Sequence, residues 1–137
     1  MSIDEALTTY LLAQSGLTAL IGRRLFPDET PEEVDLRSQT AVVYKTISDI
    51  PDYFIDRETD LAGPIYQWTA FAPTRKKARA IAAQIRAALT DYSGMMSGIF
   101  VQHIRRLNEI PQRFATSDGA VRVWSVTLEY QITYTKE

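Results

Sequence analysis

Apolar residues along this chain of 137 residues recur with a helical period in two segments, which predict two helices. Ser2 and Glu5 form the pattern of a capping box, in which each side chain satisfies a backbone N–H at the start of a helix. Apolar residues follow at helical spacing, and Gly16 is expected to end this first helix. A second helix is predicted after Thr74 as its N-cap, with an apolar stripe made of Ala78, Ile81, Ala82, Ile85 and Leu89.

Four segments rich in β-branched and aromatic residues predict strands. The last of them alternates most regularly, with an apolar and a polar face, so one face is expected to pack on helices. The intervening segments are rich in proline and in acidic residues, so 23–40 predicts an irregular, exposed segment and 49–64 predicts a long loop between strands with an extended stretch inside. Leu17 to Ile21 predicts a short turn. The predicted strands are 41–48, 65–71, 99–107 and 121–134.

The elements follow the order α-β-β-α-β-β and predict a single α+β domain over residues 1–137. A mostly antiparallel four-stranded sheet with two helices packed on one face would bury both kinds of apolar stripe. The polar face of the last strand is richer in Thr and Gln than in Lys or Glu. It is expected to line a lumen or an interface, or else to meet solvent.

The composition is ordinary for a globular protein, with 45% hydrophobic and 23% charged residues. Because the chain has no cysteine, disulfides and thiolate metal sites are excluded. The acidic N-terminal sequence and the lack of a long apolar run predict a soluble protein that is not secreted and has no membrane among its partners. The net charge of −2 does not favour nucleic acid as a partner.

Charge is distributed unevenly along the sequence. Residues 1–60 contain 12 acids and 5 bases, a net charge of −7, whereas residues 61–137 contain 5 acids and 10 bases, a net charge of +5. Two solvated faces would explain this, and so would a subunit whose acidic end meets the basic end of another copy.

Candidate catalytic chemistry is sparse. The one histidine, His103, lies in a predicted strand without a nucleophile motif. Four aspartates of the 49–64 loop could hold a divalent cation, but their spacing does not match a calcium loop, and turns favour aspartate for its local hydrogen bonds. No nucleotide-binding motif is present. We therefore expect no catalytic residue, cofactor or metal; the four aspartates are Asp49, Asp52, Asp56 and Asp60.

Four bases occupy the first turns of the second predicted helix, in the sequence RKKAR at 75–79. The positive end of the helix dipole disfavours them there by a few tenths of a kcal/mol per charge. A solvated helix face would explain the cluster. So would an anionic partner, either an acidic segment of a neighbouring subunit or nucleic acid.

Several segments in the same order resemble the phage tail-completion family, the head-proximal tail proteins of long-tailed phages and prophages. They are SIDEALTTYLLAQSGLTALIGRRLFPDETP, AVVYKTISDIPDYFID, IYQWTAFAPTRKKARAIAAQIRAAL and VWSVTLEYQITY, which together cover most of the chain. The chain departs from the family at Thr40, which replaces a proline, and in the less typical loop 108–120.

The resemblance implies a structural role without enzyme activity or cofactor, in the virion tail and, during assembly, in the host cytoplasm. Such proteins form a ring, usually of six copies, that caps the tail tube and meets the head connector. The implied partners are further copies of the chain, the tail-tube protein and the head–tail connector protein.

Three clusters are the predicted subunit contacts. Charge complementarity would set register and encounter rate, while apolar loop residues would supply buried area. The predicted contact residues are Asp28, Glu29, Glu32, Glu33, Asp35, Tyr53, Phe54, Ile55, Arg75, Lys76, Lys77 and Arg79.

Two alternatives to a tail protein remain open from the residues alone. A small ligand-binding or regulatory α+β domain, dimeric through a sheet edge, would contain a closed apolar pocket. An enzyme that uses the aspartate loop and a divalent metal would show metal-dependent activity or stability.

Overall fold

A computed structural model of the chain describes residues 2–28, 39–48, 51–54, 57–115 and 122–135. Three helices lie within these ranges: α1 (Ile3–Leu12), α2 (Ser15–Ile21) and α3 (Arg75–Leu89). Eight strands accompany them, namely β1 (Leu25–Pro27), β2 (Ala41–Ser48), β3 (Pro51–Phe54), β4 (Arg57–Ala62), β5 (Ile65–Ala72), β6 (Gly94–Met96), β7 (Ile99–Ala115) and β8 (Arg122–Thr135).

The eight strands form one mixed sheet that curls into a half-barrel. Strand β3 continues the line of β2, and β4 continues the line of β5, so the sheet is six strands wide. Its order across is β1, β2, β5, β8, β7, β6. The β1–β2 pair is parallel and every other described pair is antiparallel.

Two long hairpins extend from opposite ends of this sheet. The first continues past the last β4–β8 pair, Leu61 with Thr135, as the two-stranded ribbon β3–β4. The second, β7–β8, continues past the last β5–β8 pair, Ala72 with Trp124, to the pair Ala115 with Arg122. We refer to the ribbon β3–β4 as the arm. An isolated two-stranded ribbon is at best marginally stable, so the arm is expected to gain stability from a partner.

The hydrophobic core lies between the helices and one face of the sheet. Trp68 stacks on Tyr66 with ring centroids 5.6 Å apart and meets Tyr130 edge-on at 6.1 Å. The predicted stripe of α3 is buried in full, as is the apolar face of β8 from Val126 to Ile132. The helical and alternating patterns of these two elements were therefore predicted correctly. The capping box of Ser2 and Glu5 and the cap of Thr74 are likewise confirmed.

The predicted four-stranded antiparallel sheet with two helices is wrong, because the described residues hold eight strands and three helices. The stretch predicted as a turn after Gly16 belongs to helix α2, which ends at Gly22 in the left-handed region (φ 62°). Gly16 lies inside this helix against the side chain of Gln84, so it marks a close approach of α2 and α3.

Segment 49–64, predicted as a long loop with an extended stretch inside, forms strands β3 and β4 over much of its length. Its prolines and aspartates suggested a loop, but pairing along a ribbon depends on backbone hydrogen bonds more than on apolar side chains. The third predicted strand likewise runs on to Ala115, through polar residues that a strand at the side of a sheet tolerates.

Candidate functional site

The four bases predicted as contacts lie at the start of α3, which the Thr74 cap begins. The Thr74 Oγ1 accepts a hydrogen bond from the Lys77 backbone N–H at 3.3 Å. The buried stripe of α3 fixes the helix on the sheet, so its first turns point their polar side chains outward. Arg75, Lys76 and Arg79 are exposed, and no ion pair to another described residue forms at any of the four bases.

These bases face two different sides of the helix. Arg75 and Arg79 line a groove between α3 and β7, whereas Lys77 lines a separate cavity between α3 and α2. Lys76 lines neither of them. The predicted basic cluster is therefore divided between two sites. One is lined by Arg75 and Arg79, and the other is lined by Lys77.

The groove between α3 and β7, hereafter the arginine groove, consists of two adjoining cavities of about 240 and 260 Å³. Both are open to solvent and share Arg79, Pro111 and Val126 in their walls. At one end, the Arg86 guanidinium forms an ion pair with the Glu109 carboxylate at 2.7 Å. Trp124 lines the other end, so the groove combines an apolar floor with cationic walls.

The predicted acidic contacts fall largely outside the described residues. Asp28 is exposed directly after β1, with a left-handed backbone (φ 66°), and its N–H donates to the Tyr44 carbonyl at 2.8 Å. Glu29, Glu32, Glu33 and Asp35 lie outside the described ranges. Contact of the acidic segment with a neighbour therefore stays a prediction.

Of the predicted apolar contacts, Tyr53 and Phe54 belong to the arm. Their backbones pair with Glu58 and Arg57 near its far end. Ile55 lies outside the described residues. These positions come together at the end of a ribbon, not in the exposed loop that the sequence suggested.

A ladder of polar side chains covers the sheet face opposite the helices. The Thr69 and Thr127 hydroxyls are 3.3 Å apart, the Arg105 guanidinium donates to the Gln131 side chain at 3.1 Å, and the Asn108 amide lies 3.4 Å from the Glu129 carboxylate. The contributions of β7 beyond residue 107, such as Asn108, were missed, because the sequence does not tell that these residues stay in the sheet.

Exposed apolar side chains at the side of the sheet were missed as well. Met95 of β6 pairs with Phe100 of β7, and their exposed fractions are 61% and 44%. The alternation of buried Met96 and Ile99 with these two residues is the signal that could have found them.

The described residues offer little catalytic chemistry. His103 lies 3.7 Å from Asp91, and both side chains are largely exposed. No group of three His, Cys, Asp or Glu side chains that could hold a metal ion occurs among the described residues. The tyrosines with raised pKa values, Tyr10, Tyr66 and Tyr130, owe them chiefly to burial.

None of the described helices has the length and apolar character that crossing a membrane requires.

Comparison with known proteins identifies relatives of this chain. The sequence profile of the family described as Tail completion protein gp17 matches residues 5–135. None of the curated proteins matches the chain.

Solved structures with a similar fold include a chain of the structure described as "Virion of native gene transfer agent (GTA) particle". It is 17% identical, with a TM-score of 0.71, and the alignment covers 98% of this chain and 95% of that chain. A second solved structure, which carries no functional description, is 14% identical with a TM-score of 0.54. That alignment covers 100% of this chain and 99% of the other.

Proposed function

The chain belongs to the family of Tail completion protein gp17, and from this membership we propose that it is a structural protein of a phage-like virion that completes the head-proximal end of the tail. It forms a hexameric ring that caps the tail tube and contacts the head–tail connector protein. The role is one of assembly and requires no catalysis or cofactor. The protein acts in the virion tail, after a period in the host cytoplasm.

The family match over residues 5–135 carries this proposal, because it spans nearly the whole chain. The fold shared with a chain of a gene transfer agent virion supports it. The two hairpins support it too, since they extend in opposite directions and offer each copy two places to reach its neighbours.

The cavities also favour assembly over the alternative of a small ligand-binding domain. The two cavities of the arginine groove and the cavity beside Lys77 are open to solvent, and charged residues such as Arg79, Glu109 and Lys77 line them. Ligand pockets for small molecules are mostly enclosed and apolar. Grooves of this kind suit segments of another protein chain.

Electron microscopy of the purified chain mixed with tail tubes tests the proposal. We expect rings at one end of each tube. The variant with Lys76, Lys77 and Arg79 all changed to Glu should keep the fold but form no ring, because these side chains are exposed and their reversal repels an acidic neighbour.

Circular dichroism and thermal unfolding of that variant provide the control for its fold. Normal ring formation by a folded triple variant would refute the proposed contact. Bare tube ends with the unmodified chain would refute the proposed role.

A further inference from the structure

The arginine groove exists because the sheet is wider than the helix that covers it. Helix α3 packs on β5 and β8, and the sheet continues past it to β7. Glu109 and Pro111 of β7 pair with Leu128 and Val126, whose side chains face the helices. The second half of β7 therefore presents its helix-facing side in a groove that none of the three described helices covers.

The arginines of this groove differ in whether they form an ion pair with a described residue. Arg86 is paired with Glu109 at 2.7 Å, whereas Arg75 and Arg79, one helical turn apart, have no ion pair with a described residue. The apolar surfaces of Pro111, Trp124 and Val126 line the same cavity as Arg75 and Arg79. An occupant that matches both features carries carboxylates and apolar side chains close together.

We propose that the arginine groove binds residues 28–35 of a second copy of this chain. This segment, DETPEEVD, contains five carboxylates together with a proline and a valine. Its carboxylates suit the guanidinium groups of Arg75 and Arg79, since Arg pairs with carboxylates through two parallel hydrogen bonds. Its apolar residues suit the groove floor. The inference rests on the proposed ring assembly and names one contact that builds it.

The segment comes from a neighbour because its own chain holds both of its ends away from the groove. Asp28 is bound to Tyr44 of β2, near the side of the sheet opposite β7. Gln39, beyond its other end, lines the cavity on the α2 side of α3. A contact between two different surfaces of successive copies is heterologous, and such contacts form a ring when the rotation between copies closes.

A protein segment fits the groove better than nucleic acid does. The floor of Pro111, Trp124 and Val126 is apolar and suits the proline and valine of the segment, whereas a sugar–phosphate backbone offers no such side chains. Phosphate-binding surfaces instead gather Lys and Arg along one face, and their affinity falls steeply with salt.

A peptide titration tests the inference. The receptor is the full chain with its own acids neutralised, as Asp28→Asn, Glu29→Gln, Glu32→Gln, Glu33→Gln and Asp35→Asn, so that no neighbour occupies the groove. The probe is a synthetic peptide of residues 27–37. NMR reports its binding through the indole N–H of Trp124, which lines the groove, against that of Trp68, which is 1% exposed in the core.

We expect saturable binding that shifts the Trp124 signal and leaves that of Trp68 in place. Arg75→Gln and Arg79→Gln should each weaken binding about tenfold, as expected when one charge-assisted hydrogen-bonded pair is lost. Lys45→Gln provides the control, because Lys45 is exposed on β2 and lines neither cavity of the groove, and it should change the affinity less than about twofold.

The inference is overturned if the peptide does not bind, if Arg79→Gln binds it as tightly as the receptor does, or if a peptide with amides in place of its carboxylates binds equally well. Tighter binding of a DNA duplex at the same Trp124 signal would assign the groove to nucleic acid instead. Rings that form without peptide binding would retain the proposed function and reject this contact. Peptide binding without rings would retain the contact and reject the function.

Discussion

At the scale of single residues, Tyr66 joins the first helix to the sheet. Its hydroxyl donates a hydrogen bond to the Asp4 carboxylate, and burial together with this hydrogen bond raises the pKa of Tyr66. Burial also raises the pKa of Tyr10 and of Tyr130. These phenols therefore stay protonated in the folded chain at a pH where they ionise in the unfolded chain.

This difference predicts alkaline destabilisation. A phenol whose pKa is raised on folding stabilises the fold fully below its ordinary pKa of about 10, and that contribution is lost as pH rises towards the folded-state pKa. We expect the free energy of unfolding to fall above about pH 10 and to fall less steeply in Tyr66→Phe. Urea denaturation followed by circular dichroism between about pH 9 and about pH 11 measures both slopes. Equal slopes for the two proteins would contradict this account.

Ser125 is the buried side chain whose hydroxyl has no hydrogen-bond partner among the described residues. It is 2% exposed, so folding removes its hydroxyl from bulk water without a described hydrogen-bond partner in exchange. Ser125→Ala should leave stability unchanged or raise it by about 1 kcal/mol, the scale of an unsatisfied buried group. Chemical denaturation measures the change.

Thr69→Val is the matched control for that substitution. Thr69 is buried on a neighbouring strand, and its hydroxyl bonds to that of Thr127. Its loss should therefore destabilise the fold by about 1 kcal/mol. If Ser125→Ala destabilised the fold as much as Thr69→Val does, an unrecognised partner of the Ser125 hydroxyl would be indicated.

At the scale of elements, the arm is the part of the sheet expected to be least stable by itself. It joins the rest of the sheet through β2, through β5 and through the pairs Leu61–Thr135 and Ala62–Tyr134. Replacing residues 49–64 by Asn-Gly should let β2 and β5 meet in a tight hairpin at the pair Ser48–Ile65, because this dipeptide favours the turn that two-residue hairpins use.

We expect the shortened chain to unfold cooperatively within about 5 °C of the full chain, which corresponds to roughly 1 kcal/mol for a domain of this size. Ring formation should be lost, since Tyr53 and Phe54 go with the arm. Scanning calorimetry and electron microscopy measure the two effects. An unfolded product would instead show that the arm belongs to the folding core, and intact rings would remove the arm from the contact.

Elements that bury one face were predictable, and elements held only by backbone pairing were not. Helix α3 and strand β8 have an apolar partner surface along their length, so their burial appears as a period in the sequence. Strand β1 has three residues and pairs in parallel with β2, and the arm gives no such period. The arginine groove could not be predicted from the sequence for another reason. Its walls, around Arg79, Pro111 and Trp124, come from elements far apart in sequence.

At the scale of the whole molecule, the uneven charge along the sequence corresponds to two different sides of the sheet. Asp28, the first residue of the acidic segment, directly follows β1 at one side of the sheet, while Arg75 and Arg79 face β7 at the other. Under the proposed contact, a copy would offer a negative segment to one neighbour and a positive groove to the next. Two variants can test whether these surfaces meet. The first changes Arg75 and Arg79 to Glu, and the second changes Glu29, Glu32, Glu33 and Asp35 to Lys.

Each variant alone should fail to assemble, because like charges then face each other at every contact. An equimolar mixture should assemble, since the unmodified acidic segment of the first variant meets the unmodified groove of the second, and the reversed segment of the second meets the reversed groove of the first. Mass photometry of the separate and mixed proteins measures the outcome. Rings in the mixture would require alternating copies in a heterologous contact, whereas particles no larger than two copies would indicate an isologous dimer. Assembly of either variant alone would show that charge does not direct the contact.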